Sequence, residues 1–274
     1  MAKRAFCVGI NDYPYDGSDL NGCVNDARAW ADLLIQHFDF PTSDVTVITD
    51  AEATKAKMVA GLKELLHGAK AGDVLVFTNS SHGSYVADTS GDEPTYDEVV
   101  CPYDIADNAL ADDELRELFA ALPPEAHVVA IMDNCHSGTV TRAAISENIP
   151  GMRTPDDRRV RFLNPALRGD PVLANPWKAQ PKRPDKYPQS GMTEVLLTGC
   201  TDKEYSYDAL LAGTYHGAMT YHAIQAIREA NYQLTYAQLH ERLGVLIDQA
   251  GYNQHPQLEG KDANKQRQIF AEVG

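Results

Sequence analysis

Two stretches of this chain are built alike: VLVFTNSSHGS at residues 74–84 and VVAIMDNCHSG at residues 128–138. Each is an unbroken apolar run that stops in small polar residues, one offering His82 and the other Cys135. Short continuous apolar runs of this kind read as strands buried on both faces. Outward from them the chain alternates. Ala5–Ile10 and Val45–Ile48 read as further strands, and Val24–Phe38, Thr54–His67 and Asp112–Leu122 carry apolar residues at helical spacing. Thr54 suits an N-cap, and Pro123-Pro124 stops the third helix. Thr193–Thr198 resumes the strand pattern, Gly217–Ala230 and Leu234–Ala250 read as helices, and Gln268–Ala271 reads as a last strand. Strand–helix alternation predicts an α/β fold with a mostly parallel sheet of about six strands between layers of helices.

The chain has 274 residues, long enough to bury a sizeable core without a staple. Lys plus Arg number 24 against 39 Asp plus Glu, a net charge of −15 that repels phosphate backbones and anionic lipid, so nucleic acid and membrane partners are not expected. No apolar run reaches membrane-spanning length, and the start, MAKRAFCVGI, reads as a first strand and not a leader. The five cysteines are scattered with no CxxC pair, which points to a reducing, cytoplasmic setting and to no zinc site.

One segment departs from the rest. Arg142–Lys186 holds ten Lys/Arg, five Asp/Glu and, after Gly151, six Pro, with no helical or alternating period. The expected organisation is one domain, 1–274, with a first part at 1–141, a basic Pro-rich loop at 142–189 and a second part at 190–274.

Ligands of open parallel sheets sit beyond the carboxyl ends of the strands. There the two opening stretches place His82 and Cys135, each in a loop of small residues. A thiol and an imidazole can serve as nucleophile and general base, and a glycine beside them lets a backbone N–H approach a substrate oxygen. His136 is a rival base, but neighbouring side chains of an extended segment point apart, which favours His82. A metal reading (His82, His136, Asp133) lacks ligand spacing on a helix. No GxGxxG, GxxxxGK[ST] or GxSxG motif supports nucleotide binding or a serine hydrolase.

The motifs AFCVGINDY, GCVNDA, SSHGS, YDEVVCPYD, DDEL and DNCHSG, followed by LLTGCTDKEYSYD, GAMTYHAIQAI and HPQL, resemble in order the caspase-like cysteine peptidases, in the metacaspase and bacterial orthocaspase branch. His82 and Cys135 lie 53 residues apart, close to the spacing of roughly 50 seen in caspases.

The resemblance implies a caspase-like three-layer sandwich and a Cys135–His82 dyad acting through a thioester acyl-enzyme. It implies an oxyanion hole from the N–H groups of Gly83 and Cys135. It also implies cleavage after Arg or Lys in a pocket that includes Cys23, Asp26, Ser80 and Asp133. Peptide or protein substrates and a monomeric enzyme follow from the same resemblance. Chemistry would need no cofactor, while calcium at Asp97, Asp112 and Asp113 is implied for many members.

Two residues depart from the pattern: Ser81 stands where the family usually has Gly, and Asn134 precedes the nucleophile. A required left-handed backbone at Ser81 would favour the alternative, a catalytically weak module that binds peptides or partners. The basic loop itself is expected near the acidic mouth of the site, with self-cleavage after Arg153, Arg158, Arg159, Arg161, Lys182 or Arg183.

Overall fold

Each central strand alternates its side chains between two apolar layers, so period-two patterning survives inside runs that are apolar throughout. The computed structural model describes residues 1–87, 96–120, 122–123, 125–135, 158–168, 191–201 and 204–272. With elements numbered in chain order, β1 (Lys3–Gly9) pairs in parallel with β2 (Val45–Thr49) and with β3 (Val74–Ser80). Strand β3 pairs in parallel with β7 (His127–Asp133), and β7 with β9 (Val195–Thr198). Strand β12 (Gln257–Glu259) closes that edge antiparallel, giving the six-stranded order β12-β9-β7-β3-β1-β2. Strands from both sides of the basic loop thus share one sheet.

One face of the sheet, through Cys7, Val76, Ile131 and Leu197, packs on α1 (Cys23–His37), α4 (Ala218–Glu229) and α5 (Tyr236–Gln249). The other, through Phe6, Phe77, Ala130 and Met132, packs on α2 (Lys55–Leu66) and α3 (Asp112–Ala120). The result is a three-layer α/β sandwich. Helix α1 starts at Gly22, which has no side chain to cap it, so Asn11 Oδ1 accepts from Cys23 N and Val24 N at 2.8 and 3.2 Å. Thr54 caps α2 through Lys57 N. Among the described residues no helix is long and apolar enough to cross a membrane.

The last strand is not where the apolar pattern predicts it. Gln268 makes only an isolated bridge to Thr235, while Ile269 and Phe270 are buried in the helical layer, Phe270 with φ +50. The edge strand is Gln257–Glu259, whose single apolar residue, Leu258, gives almost no periodic signal.

Two small antiparallel sheets carry loops over the sheet's carboxyl end. One is β4 (Gly83–Ala87), β5 (Tyr96–Val100) and β6 (Leu110–Ala111). The other joins β10 (Tyr207–Leu211) to β11 (Thr214–Gly217) and to β8 (Arg159–Val160), a strand that belongs to the basic loop.

Candidate active site

Strands β3 and β7 run side by side with Ser80 opposite Asp133, and the loops that leave them carry His82 and Cys135. The two loops touch: a Cβ on Gly83 would lie 1.6 Å from the Cys135 carbonyl oxygen, so only glycine fits there. His82 is clamped through its main chain. Its N–H donates to Tyr13 Oη at 3.1 Å, Tyr13 donates on to the Cys101 carbonyl at 2.9 Å, and Cys101 N donates to the His82 carbonyl at 3.0 Å.

Imidazole Nε2 lies 2.6 Å from the Ser18 carbonyl, an acceptor only. Nε2 therefore carries the hydrogen, and the buried Nδ1 keeps its lone pair. Burial pushes the imidazole pKa down to about 4, with the Ser18 hydrogen bond opposing and the Arg161 charge reinforcing, so His82 is neutral at physiological pH and its Nδ1 is open to a proton. Ser81 has no left-handed backbone. Its hydroxyl accepts from Asn79 Nδ2 at 2.8 Å and donates to the His82 carbonyl at 3.0 Å, so the departure from Gly adds a tie.

Cys135 is buried, with Sγ against the Ser206 backbone, 2.7 Å from its N and 3.6 Å from its carbonyl oxygen. The Cys200 thiol donates to the Glu204 carbonyl at 3.4 Å, and the neighbouring Cys135 and burial push its pKa far up, so it stays protonated.

The pocket beside this pair is filled by the chain itself. The Arg161 side chain is 0% exposed. One guanidinium nitrogen donates to Ser80 Oγ at 2.6 Å and to the Asp133 carbonyl at 3.0 Å; the other donates to Asp26 at 2.6 Å and Asp208 at 3.1 Å. The Asp133 carboxylate is 3.3 Å away. The Arg161 carbonyl oxygen accepts from Gly83 N at 3.0 Å and Cys135 N at 3.4 Å, and Arg161 N donates to the Ser206 carbonyl at 2.9 Å.

Each carboxylate also has donors of its own. Asp26 accepts from Gly217 N, Asp133 from Thr220 N and Oγ1, and Asp208 from Asn21 N and Gly22 N. Those donors join the arginine in satisfying the buried carboxylate oxygens. Even so, burial pushes the Asp208 carboxyl above its usual range, with Arg161 pulling the other way. Gly217 is needed sterically: a Cβ there would come 2.1 Å from Asp133 Oδ2 and 2.5 Å from the guanidinium.

Of the residues singled out from sequence, His82, Gly83, Cys135, Asp26, Ser80 and Asp133 converge on Arg161. Cys23 lies buried next to these charges, its thiol pushed well up by burial. Asp208, Gly217, Ser206, Tyr13 and Ser18 were not anticipated. Asp208 had one usable signal, an acid placed to face inward in a short run that ends in an Ala212-Gly213 turn.

Asp97 lies on β5, and Asp112 and Asp113 open α3 directly after β6, the strand that pairs with β5. Asp112 pairs with Arg116 at 3.6 Å, the Asp97 side chain lies outside the described residues, and among those residues no group of three His, Cys, Asp or Glu could hold a metal ion. His136, Arg153, Lys182 and Arg183 also lie outside the described residues.

A metacaspase, peptidase C14 domain model matches residues 3–144. Metacaspase-1 of Arabidopsis thaliana is 33% identical over 91% of this chain and 65% of its own length; Metacaspase-1A of Aspergillus niger is 30% identical over 93% and 69%. The chain belongs to the metacaspase family. That family is one of cysteine-type peptidases, and this member spans about two thirds of the length of those relatives. In fold, a Geobacter sulfurreducens protein of known crystal structure superposes with a TM-score of 0.74 at 23% identity, covering 100% of both chains. Caspase-1 from Spodoptera frugiperda superposes at 0.56 with 11% identity, over 94% of this chain and 86% of that one. The sandwich is therefore caspase-like.

Proposed function

We propose that this metacaspase-family chain is an endopeptidase that cleaves after Arg or Lys, and that the Arg161–Phe162 bond is its own first substrate. The observation that carries the reading is Arg161 itself: guanidinium among three carboxylates, carbonyl oxygen on two converging N–H groups. In the reaction, His82 Nδ1 takes the Cys135 thiol proton and the sulfur attacks the Arg161 carbonyl carbon. The resulting oxyanion stays on Gly83 N and Cys135 N. The bond to the Phe162 nitrogen breaks as His82 returns the proton to it, and water then hydrolyses the thioester, freeing the Arg161 carboxylate and Cys135.

A forked guanidinium reaches Asp26, Asp208, Ser80 and the Asp133 carbonyl at once, which a lysine ammonium cannot, so Arg should be cut faster than Lys. The reading of a catalytically weak module loses its support, because Ser81 needs no left-handed backbone.

No step uses a cofactor. Calcium at Asp97, Asp112 and Asp113 would act as a ligand of the native fold. Five free, buried cysteines support a reducing cytoplasm as the working compartment, and the enzyme works as a monomer on protein substrates. Fluorogenic peptides with Arg, Lys or Asp before the cut test the specificity. Turnover should fall in the order Arg, Lys, with none for Asp and none by Cys135→Ala. Absence of turnover by folded wild type, or cleavage after Asp, would refute it.

A further inference from the structure

Burial alternates along residues 161–165: Arg161, Leu163 and Pro165 point inward, while Phe162 and Asn164 are half-exposed. This is the pattern of an extended peptide seated in a cleft, and it continues past the bond that would be cut. On that far side the main chain is gripped by the residues just after His82. Leu163 N donates to the Gly83 carbonyl at 2.9 Å, Ser84 Oγ donates to the Leu163 carbonyl at 2.8 Å, and Phe162 bridges Gly83 in parallel. The Phe162 ring stacks on Tyr85 at 5.9 Å and 28° and lies 6.4 Å from Tyr205. Leu163 is 1% exposed, within the apolar cluster of Val99, Val100 and Cys101.

Main-chain bonds with pockets for alternate side chains are how extended peptides are recognised. We propose that the leaving-group side of the cleft is a second recognition site, built by Tyr85, Tyr205, Ser84 and the apolar cluster under β4. It selects substrates with an aromatic residue first and a branched aliphatic residue second after the scissile bond. The inference rests on cleavage after Arg and adds the half of the substrate that the acidic pocket does not read. An aromatic first residue gains ring stacking but stays partly in water, so it counts for less than the buried second residue.

The test uses full-length wild type and internally quenched peptides that share Arg-Arg-Val-Arg before the cut and carry Phe-Leu, Gly-Leu, Phe-Gly or Phe-Asp after it. Relative to Phe-Leu, kcat/KM should fall roughly tenfold to a hundredfold for Phe-Gly, from loss of one buried aliphatic side chain, and further for Phe-Asp. Gly-Leu should lose about three- to tenfold. Tyr85→Ala should weaken the dependence on the first residue, Tyr205 still facing it, and keep that on the second. An arginyl-coumarin peptide, with no residue after the cut, reads the primary pocket alone. Its turnover beside equal rates on all four quenched peptides overturns the second site and leaves cleavage after Arg standing; failure to cut any arginyl peptide overturns both.

Discussion

The proposed reacting groups and the proposed specificity pocket of this chain are built in different ways. His82, Gly83 and Cys135 all leave two neighbouring strands of the first half, held in register by the continuous β3–β7 ladder. The arginine pocket draws Asp26, Ser80 and Asp133 from that half and Asp208 and Gly217 from the hairpin of the second, beyond the basic loop. On the proposed reading the reacting side chains are carried by one parallel pair, with the Ser206 backbone of the second half against the Cys135 sulfur, whereas specificity needs the two halves docked. A substitution can remove either while sparing the other.

The largest effect is expected at the local end. Cys135→Ala should lower cleavage by at least about a thousandfold, in cis and in trans, because nothing else supplies the acyl-enzyme. Its melting temperature should match wild type. Residual activity within tenfold would mean another nucleophile.

At the docked end, Asp208→Ala removes one charge-assisted contact, worth about 1.5–3 kcal/mol, so kcat/KM on arginyl peptides should drop roughly tenfold to a hundredfold. Gly217→Ala should do at least as much by pushing a methyl into the guanidinium's place. Both should leave Cys135 as readily alkylated as in wild type. A parallel loss of thiol reactivity would show that pocket and nucleophile are one unit, against the contrast drawn above.

Acid separates the two further. A histidine held at about 4 in the fold against an ordinary 6.5 binds its proton only in the unfolded chain between those values, so its contribution to stability is complete above pH 6.5 and is lost as pH falls towards 4. His127, also pushed down to about 4 by burial, behaves the same way. Asp208, with its carboxyl raised, contributes with the opposite sign and offsets part of the loss as pH falls. The acid limb of self-cleavage should therefore lie near pH 4 and not near 6.5. His127→Gln should weaken the acid lability of the fold without moving that limb, as pH-dependent melting and single-turnover cleavage would read. A limb near 6.5 would mean that His82 is solvated when it acts.

The smallest effect is expected from calcium. Millimolar calcium should raise the melting temperature by about 2–4 °C, equivalent to roughly 1 kcal/mol, if Asp97, Asp112 and Asp113 bind it. Identical curves in calcium and in EDTA would remove the ion from the account.

What could be read from sequence divides along the same line. The β3 and β7 runs, the helices around them and the placement of His82 and Cys135 on neighbouring strand ends were legible because each is a local pattern: an apolar run, then small residues, then a polar or thiol side chain. Asp208 and Gly217 were not, since their roles exist only once β10 and β11 pack against α1 and the strand ends. The edge strand at Leu258 escaped for want of periodicity, while Ile269 and Phe270 imitated a strand and instead fill the helical layer. Within the basic loop, the family resemblance implied cleavage after Arg or Lys but could not choose among six candidate bonds. The choice of Arg161 comes from burial, hydrogen bonding and the alternation that seats Leu163 beside it.

Mass spectrometry of wild type and Cys135→Ala after prolonged incubation decides whether Arg161 lies in the site as a substrate. Wild type should yield a new fragment beginning at Phe162, and Cys135→Ala should stay whole. Wild type that turns over arginyl peptides yet stays intact at Arg161–Phe162, or the same fragment from both proteins, would contradict it.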